Sequence, residues 1–350
     1  MEKHLTPMEK ILIVQTAFLG DVILTTPLIK AVKKIYPHSF LSFLLIPETR
    51  EVLANNPGLD EIIIYDKRDK EKGIPFLFSL VKKIKNKKFD KALIPHRSLR
   101  SASLCFLSKI PQRIGFDTST GSFLFTRKVR YQKSQHEIER NLSLLNSTTL
   151  KDSKDFLPEL FPSQEDFSKV EMFFRDQNLD VGEKLVGIAP GSVWATKRWL
   201  PERFAQVADL LIEESQTRIV LLGSREDQDL CFRISDLMKR KPLIAAGKMS
   251  FLQSAALISK CSVILSNDSA PVHMAVAMKI PVVEIYGSTV PGFGFAAYGE
   301  NNIILEKPLY CRPCGIHGKN KCPEKHFRCM KEITAQEVFK AVRSIIDRSP

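Results

Sequence analysis

Apolar residues follow two alternating patterns along the chain. Short runs at Ile11–Val14, Leu41–Leu45, Ile62–Tyr65 and Ala92–Ile94 are apolar at nearly every position, as in strands buried on both faces of a parallel sheet. Between such runs the apolar residues recur at helical spacing, as at Leu28, Ile29, Val32, Ile35 and Tyr36. A second series of runs covers Val186–Ala189, Ile219–Leu222, Leu243–Ala245, Val263–Ser266 and Val282–Ile285. Strand and helix patterns in strict alternation predict an α/β protein built from parallel βα units. The polar stretch STTLKDSKDFLPELFPSQED, residues 147–166, carries two prolines between the series and reads as a linker. We therefore expect one domain over 1–160, a second over 161–333 and a separate final helix over 334–350. That helix opens with Thr-x-x-Glu at Thr334 and places Val338, Val342, Ile345 and Ile346 on one face.

Open α/β sheets bind ligands outside the carboxyl ends of their strands, so the turns after strands hold the candidate chemistry. The first such turn lies in KILIVQTAFLGDVILTTPLIKAVKKIYP, residues 10–37. It carries a single glycine, Gly20, followed by Asp21, and neither G-x-G-x-x-G nor G-x-x-x-x-G-K-[ST] occurs anywhere in the chain. A carboxylate there suits a helix cap, or, at the mouth of a cleft, a general base for a hydroxyl. Pro27 leaves two helix starts open: near Thr26 with proline in the first turn, or at Asp21 with a kink. The loop APGSVWATKRWLPERF, residues 189–204, offers Gly191, Ser192, Thr196, Lys197 and Arg198. Free N–H groups and fixed cations of this kind suit a diphosphate. In SNDSAPVHMAVAMKIPVVEIYGSTVPGFGFAAYG, residues 266–299, Asp268 and Ser269 open a helix that carries His273 one turn in. The segment PHRSLRSASLCFLSKIPQRIGF, residues 95–116, concentrates His96, Arg97, Arg100 and Arg113 in the first domain. Guanidinium forks suit phosphate and carboxylate acceptors.

Charge sharpens this picture. The 350 residues hold 52 Lys+Arg against 39 Asp+Glu, a net charge of +13. Such an excess attracts phosphorylated substrates, anionic lipid or nucleic acid. Nucleic acid would require basic residues interleaved with exposed aromatics or a known module, and neither is evident. No run approaches the roughly 18 apolar residues of a membrane span, and MEKHLTPMEK lacks the apolar segment of a signal peptide. The expected location is cytoplasmic. Cys311, Cys314, Cys322 and Cys329 fall within CRPCGIHGKNKCPEKHFRC. In a reducing compartment they read either as structural zinc ligands or as reduced thiols in a stabilised loop.

Taken in order, ILIVQTAFLGDVILTTPLIKAVKKIYP, HRSLRSA, APGSVWATKRW and SNDSAPVHMAVAMKIPVV.IYG resemble glycosyltransferase family 9, the ADP-heptose:lipopolysaccharide heptosyltransferases, nearest the heptosyltransferase II type. The resemblance implies two Rossmann-like domains facing across a cleft, the GT-B glycosyltransferase fold, with the final helix returning to the first domain. It also implies inverting transfer of heptose from ADP-heptose to a phosphorylated lipopolysaccharide core, with no catalytic metal, at the inner face of the inner membrane. Carried over by position, Asp21 resembles the base, Lys197 the diphosphate-binding lysine and Asp268 the carboxylate that contacts the heptose, with His273 ending the same motif. Two departures stand out. Ala270 and Pro271 occupy positions where relatives often have Gly-containing sequence, and the nearest acid to the family's nucleoside glutamate is Glu226. The alternative within enzymes is therefore transfer of another nucleotide-activated sugar.

Overall fold

A computed structural model describes residues 8–66, 73–145, 155–179 and 182–348, with residues 73–76 described by backbone alone. The first eight residues of the expected linker, 147–154, lie outside the described residues. The chain divides into two compact units, Met1–Phe161 and Pro162–Pro350.

The first unit holds six strands: β1 Lys10–Val14, β2 Phe40–Leu45, β3 Glu61–Ile64, β4 Lys91–Ile94, β5 Gln112–Phe116 and β6 Arg127–Val129. They pair in parallel in the order β3-β2-β1-β4-β5-β6. The second holds β7 Leu185–Ala189, β8 Arg218–Leu221, β9 Leu243–Ile244, β10 Val263–Asn267, β11 Val282–Tyr286 and β12 Ile303–Glu306. Their order is β12-β11-β10-β7-β8-β9, also parallel. Each sheet has the doubly wound Rossmann order, which reverses between β1 and β4 in one and between β7 and β10 in the other. In open sheets of this order the switch point is where ligands bind.

Ile11, Leu12, Ile13 and Val14 have no exposed surface, consistent with a central strand covered on both faces. The sequence pattern missed β5, β6 and β12. Strand β5 begins with exposed Gln112, β6 reads RKV, and along the edge strand β12 exposed and half-buried positions alternate. Such strands need no continuous apolar run. Gly115 in β5 is required by contact: a Cβ there would lie 2.4 Å from the Phe125 ring.

The Pro27 question resolves into two helices. A short one, Leu19–Ile23, ends before a second, Thr26–Ile35, in which Pro27 occupies the first turn. Thr25 Oγ1 donates to the Asp21 carbonyl at 2.7 Å and Thr26 Oγ1 to the Ile23 carbonyl at 2.8 Å, which stitches the break.

The final helix, Ala335–Ile346, starts as expected. Thr334 Oγ1 accepts the Glu337 N–H at 3.2 Å, and Glu337 Oε2 accepts the Thr334 N–H at 2.8 Å. Its destination differs from the expectation. The helix packs on β10, β11 and the helix Pro201–Ser215 of its own unit, and its apolar stripe joins that unit's core. Val338, Phe339, Val342, Ile345 and Ile346 are buried there. Each such side chain gains about 1.5–3 kcal/mol from burial, so the face of the second sheet that needs covering takes the helix.

Candidate active site

In the first unit the loops after β1 and β4 meet at the switch point. His96 Nδ1 lies 2.9 Å from Thr16 Oγ1 and 2.8 Å from Ser101 Oγ, joining the two loops. Asp21 occupies the third position of the helix Leu19–Ile23, and its Oδ2 accepts the Phe18 N–H at 3.2 Å. The carboxylate is thus a capping group, but not only that. Loss of hydration, reinforced by the Glu137 charge, pushes its pKa up to about 6 against the opposing pull of the Phe18 N–H and Arg97. An ordinary cap has its pKa lowered by the N–H groups it accepts. A carboxylate held near neutrality at a strand end is placed for proton transfer.

Arg97 stacks on Tyr131, its guanidinium carbon 4.2 Å from the ring centroid. Arg100 lies exposed in the first turn of the helix Leu99–Leu107. Arg113 departs from the expectation of an acceptor contact. Its guanidinium donates to the carbonyls of Leu124 at 2.8 Å, Pro111 at 3.4 Å and Ile110, so it braces the surrounding loops.

In the second unit, Lys197 Nζ lies 2.6 Å from Asp268 Oδ2, joining the loops after β7 and β10. Thr289 Oγ1, after β11, donates to the same oxygen at 2.6 Å. Across the switch point Asn267 accepts the Trp199 N–H at 2.9 Å and donates to the Pro190 carbonyl at 2.8 Å. Gly191 is required by contact: a Cβ there would meet Asp227 Oδ1 at 2.3 Å. Arg198 Nε donates to the Ser192 carbonyl at 2.7 Å, closing that turn. Ser269 Oγ turns inward, 3.3 Å from Ser266 Oγ, and His273 is buried in the helix Ala270–Ala277. Pro271 fits the first turn of that helix, where a missing N–H costs nothing. Glu226 sits apart, exposed on the single turn Arg225–Asp227.

The loops after β7, β10 and β11 therefore converge on one ammonium group, ringed by a carboxylate and hydroxyls. This is the inventory needed to hold a diphosphate and a polyol. The sequence model of glycosyltransferase family 9 (heptosyltransferase) matches residues 77–326, most of the chain. The chain belongs to glycosyltransferase family 9. Lipopolysaccharide heptosyltransferase 2 of Salmonella typhimurium is 26% identical over 347 residues, covering 96% of this chain and 98% of that protein. The crystal structure of the family 9 glycosyl transferase from Veillonella parvula superposes with a TM-score of 0.86 at 25% identity, covering 97% of this chain and 98% of that one. The E. coli ADP-heptose lps heptosyltransferase II superposes with a TM-score of 0.78 at 23% identity, covering 97% and 99%. The chain is a glycosyltransferase, an α/β protein of two Rossmann-like domains.

Three features of this glycosyltransferase escaped the sequence reading. Around Asp21, Arg140 Nη1 donates to Glu137 Oε2 at 2.8 Å and to the Tyr131 hydroxyl at 2.7 Å, and both ion-pair partners are buried. The only hint in the sequence is the Glu-x-x-Arg spacing, which reads as a surface pair. In β11, Glu284 is fully buried; Oε2 accepts the Ala297 N–H at 2.8 Å. Oε1 has no well-formed hydrogen bond, although the buried Tyr286 hydroxyl lies close enough to interact with it. Burial and the neighbouring Asp268 charge push the Glu284 carboxyl well above the usual range, which favours its neutral form. A glutamate interrupting VVEIY was the available signal.

The third is the role of the cysteine segment. Thr196 Oγ1 accepts the Lys319 N–H at 2.7 Å and donates to Ser288 Oγ at 2.9 Å, while the Cys314 N–H donates to the Ser288 carbonyl at 2.8 Å. Gly318, at φ +86°, passes so close that a Cβ would lie 3.0 Å from Lys197 Cγ. The segment thus lies against the Lys197 loop. In sequence, zinc ligation and reduced thiols are both open readings of its cysteines. Among the described residues no three His, Cys, Asp or Glu groups are arranged to hold a metal ion. Cys311 Sγ is 3.9 Å from His326 Nε2, Cys314 Sγ donates to the Cys311 carbonyl at 3.4 Å, and burial pushes the Cys329 thiol up to about 11.

Proposed function

We propose that the enzyme transfers heptose from ADP-heptose to the phosphorylated inner core of lipopolysaccharide, with inversion and without a catalytic metal. The observation that carries this reading is the division of charge between the two switch points. The first holds a carboxylate with a pKa near neutrality. The second holds a shielded lysine among hydroxyls, its side chain only 14% exposed. In the reaction Asp21 takes the proton of the acceptor hydroxyl as its oxygen bonds to the anomeric carbon. The bond from that carbon to the diphosphate breaks, and ADP leaves with the electron pair. A single displacement of this kind inverts the carbon. Lys197 and the Thr196 loop stabilise the negative charge that develops on the diphosphate, the part a divalent cation would otherwise play. Asp268, released from Lys197 by the incoming diphosphate, accepts a sugar hydroxyl.

The names of similar proteins, lipopolysaccharide heptosyltransferase 2 and ADP-heptose lps heptosyltransferase II, support both substrates. Arg97 and Arg100 are the acceptor-side cations in this reading. Among the described residues no helix is long and apolar enough to cross a membrane, and we place the enzyme peripherally on the cytoplasmic side of the inner membrane. The exposed position of Glu226 favours a second reading in which another nucleotide carries the sugar. A thermal-shift screen of nucleotide sugars separates the two, since a ligand that binds only the native state raises Tm. ADP-heptose should raise Tm and release ADP in the presence of heptose-deficient lipopolysaccharide. A shift with GDP- or UDP-sugars and none with ADP-heptose would overturn the donor assignment.

A further inference from the structure

Large apolar side chains gather at the surface beside the first unit's basic loop. The helix Leu99–Leu107 buries Ala102, Leu104 and Cys105 but leaves Leu99, Phe106 and Leu107 exposed by 45%, 47% and 46%. Positions 99, 103, 106 and 107 share one side of a helix. The turn Ser122–Leu124 lies against this helix: a Cβ on Gly121 would sit 2.4 Å from Ala102 Cβ and 3.1 Å from Leu99 Cα. That turn projects Phe123, 70% exposed. Cations border the patch. Arg97, Arg100 and Lys109 are exposed, and the Arg113 guanidinium carbon is 5.4 Å from the Phe106 ring centroid.

We propose that this face, Leu99, Phe106, Leu107 and Phe123 with its basic border, seats the enzyme on an anionic phospholipid surface. The inference rests on the reading of the acceptor as a membrane-held glycolipid. Apolar side chains of this size sink into the boundary between head groups and acyl chains, and nearby Lys and Arg are drawn to anionic lipid. A second copy of the chain is a poor occupant, because pairing this face with itself would bring two cationic borders together. The acceptor loop bearing Arg97 and Arg100 opens the same helix, so seating this face brings that loop to head-group level.

The test is co-sedimentation of the full chain with vesicles of phosphatidylcholine, with and without phosphatidylglycerol. Wild type should pellet only with the phosphatidylglycerol vesicles and be released by added salt. The triple variant Phe106→Ser, Leu107→Ser, Phe123→Ser should bind these vesicles roughly tenfold or more weakly. Its Tm and its turnover of a deacylated, soluble acceptor should match wild type. Should the triple variant fold poorly, Phe123→Ser alone, in an exposed turn, should show a smaller loss in the same direction. Undiminished binding by a folded variant, equal binding to phosphatidylcholine alone, or no vesicle binding by wild type would each overturn the seat. So would a dimer that the triple variant abolishes. Transfer to soluble acceptor without vesicle binding would sink the seat and leave the function standing. Vesicle binding without any heptosyl transfer would do the reverse.

Discussion

At the scale of single residues, Asp21 shows how one side chain serves both fold and chemistry. It accepts the Phe18 N–H, as a helix-start carboxylate should, yet burial and Glu137 raise its pKa to about 6. The sign of the linkage follows. The folded-state value lies above the unfolded 3.8, so the group favours the fold in acid, and that contribution is lost as pH rises from about 4 to 6. Asp21→Asn keeps the cap and cannot ionise. It should therefore raise stability above pH 6 by at most about 3 kcal/mol, less what solvent screening removes, and change little near pH 4. Turnover should fall roughly 10²–10⁴-fold, the usual share of a general base. In wild type, kcat/KM should drop tenfold per pH unit below about 6, and Arg97→Ala should move that limb upward because a favourable cation is lost. Denaturant melts and pH–rate profiles check both halves; a folded Asn variant with normal turnover would reduce Asp21 to a cap. The position of Asp21 was legible in the sequence. Its pKa was not, since Glu137 lies far along the chain.

At the scale of elements, Lys197 is positioned by strand-end loops that only the sheet order brings together. Lys197→Ala should weaken ADP binding by roughly 1–3 kcal/mol, the worth of a charge-assisted hydrogen bond, and calorimetric titration measures it directly. Unchanged affinity would remove the lysine from the site. Glu284, one strand over from Asp268, is predicted to keep this pocket from repelling a diphosphate through its neutral form. Its folded pKa is raised, so as pH climbs through it ionisation adds a second negative charge next to Lys197, and ADP affinity should decline. Glu284→Gln preserves the neutral form and should flatten that decline while leaving affinity at its acidic end intact. A variant with the wild-type pH dependence would assign the decline to another group. The elements themselves were unevenly legible. Central strands such as β1 announce themselves because both faces are buried. Strands β6 and β12 do not, because an edge tolerates Lys128 or Glu306. The final helix carried its capping box and apolar stripe openly, but a stripe says only that a face is buried, not against which sheet.

At the scale of the whole molecule, the two units repeat one sheet order and differ in what they place at its reversal: Asp21, His96 and Arg97 in one, Lys197 and Asp268 in the other. The doubling of βα units was legible in the alternating runs. The contact of Gly318 and Lys319 with the Lys197 loop was not, because no periodicity links residues so far apart in sequence. That contact makes a prediction about where ligands are felt. A ligand that binds only the native state suppresses the local openings through which amides exchange. ADP should therefore slow hydrogen exchange in the loop around Thr196 and Lys197 and at the Lys319 amide, which donates to Thr196. The loops carrying Thr16, Asp21 and Arg97 should exchange as before. A phosphorylated core acceptor should give the complementary pattern, protecting the amides around Asp21 and Arg97. Protection by ADP confined to the first unit would reverse the assignment of donor and acceptor. Protection of the Thr196 loop without Lys319 would show that the cysteine segment moves independently of the donor loop, and its contact with Thr196 would then have no part in donor binding.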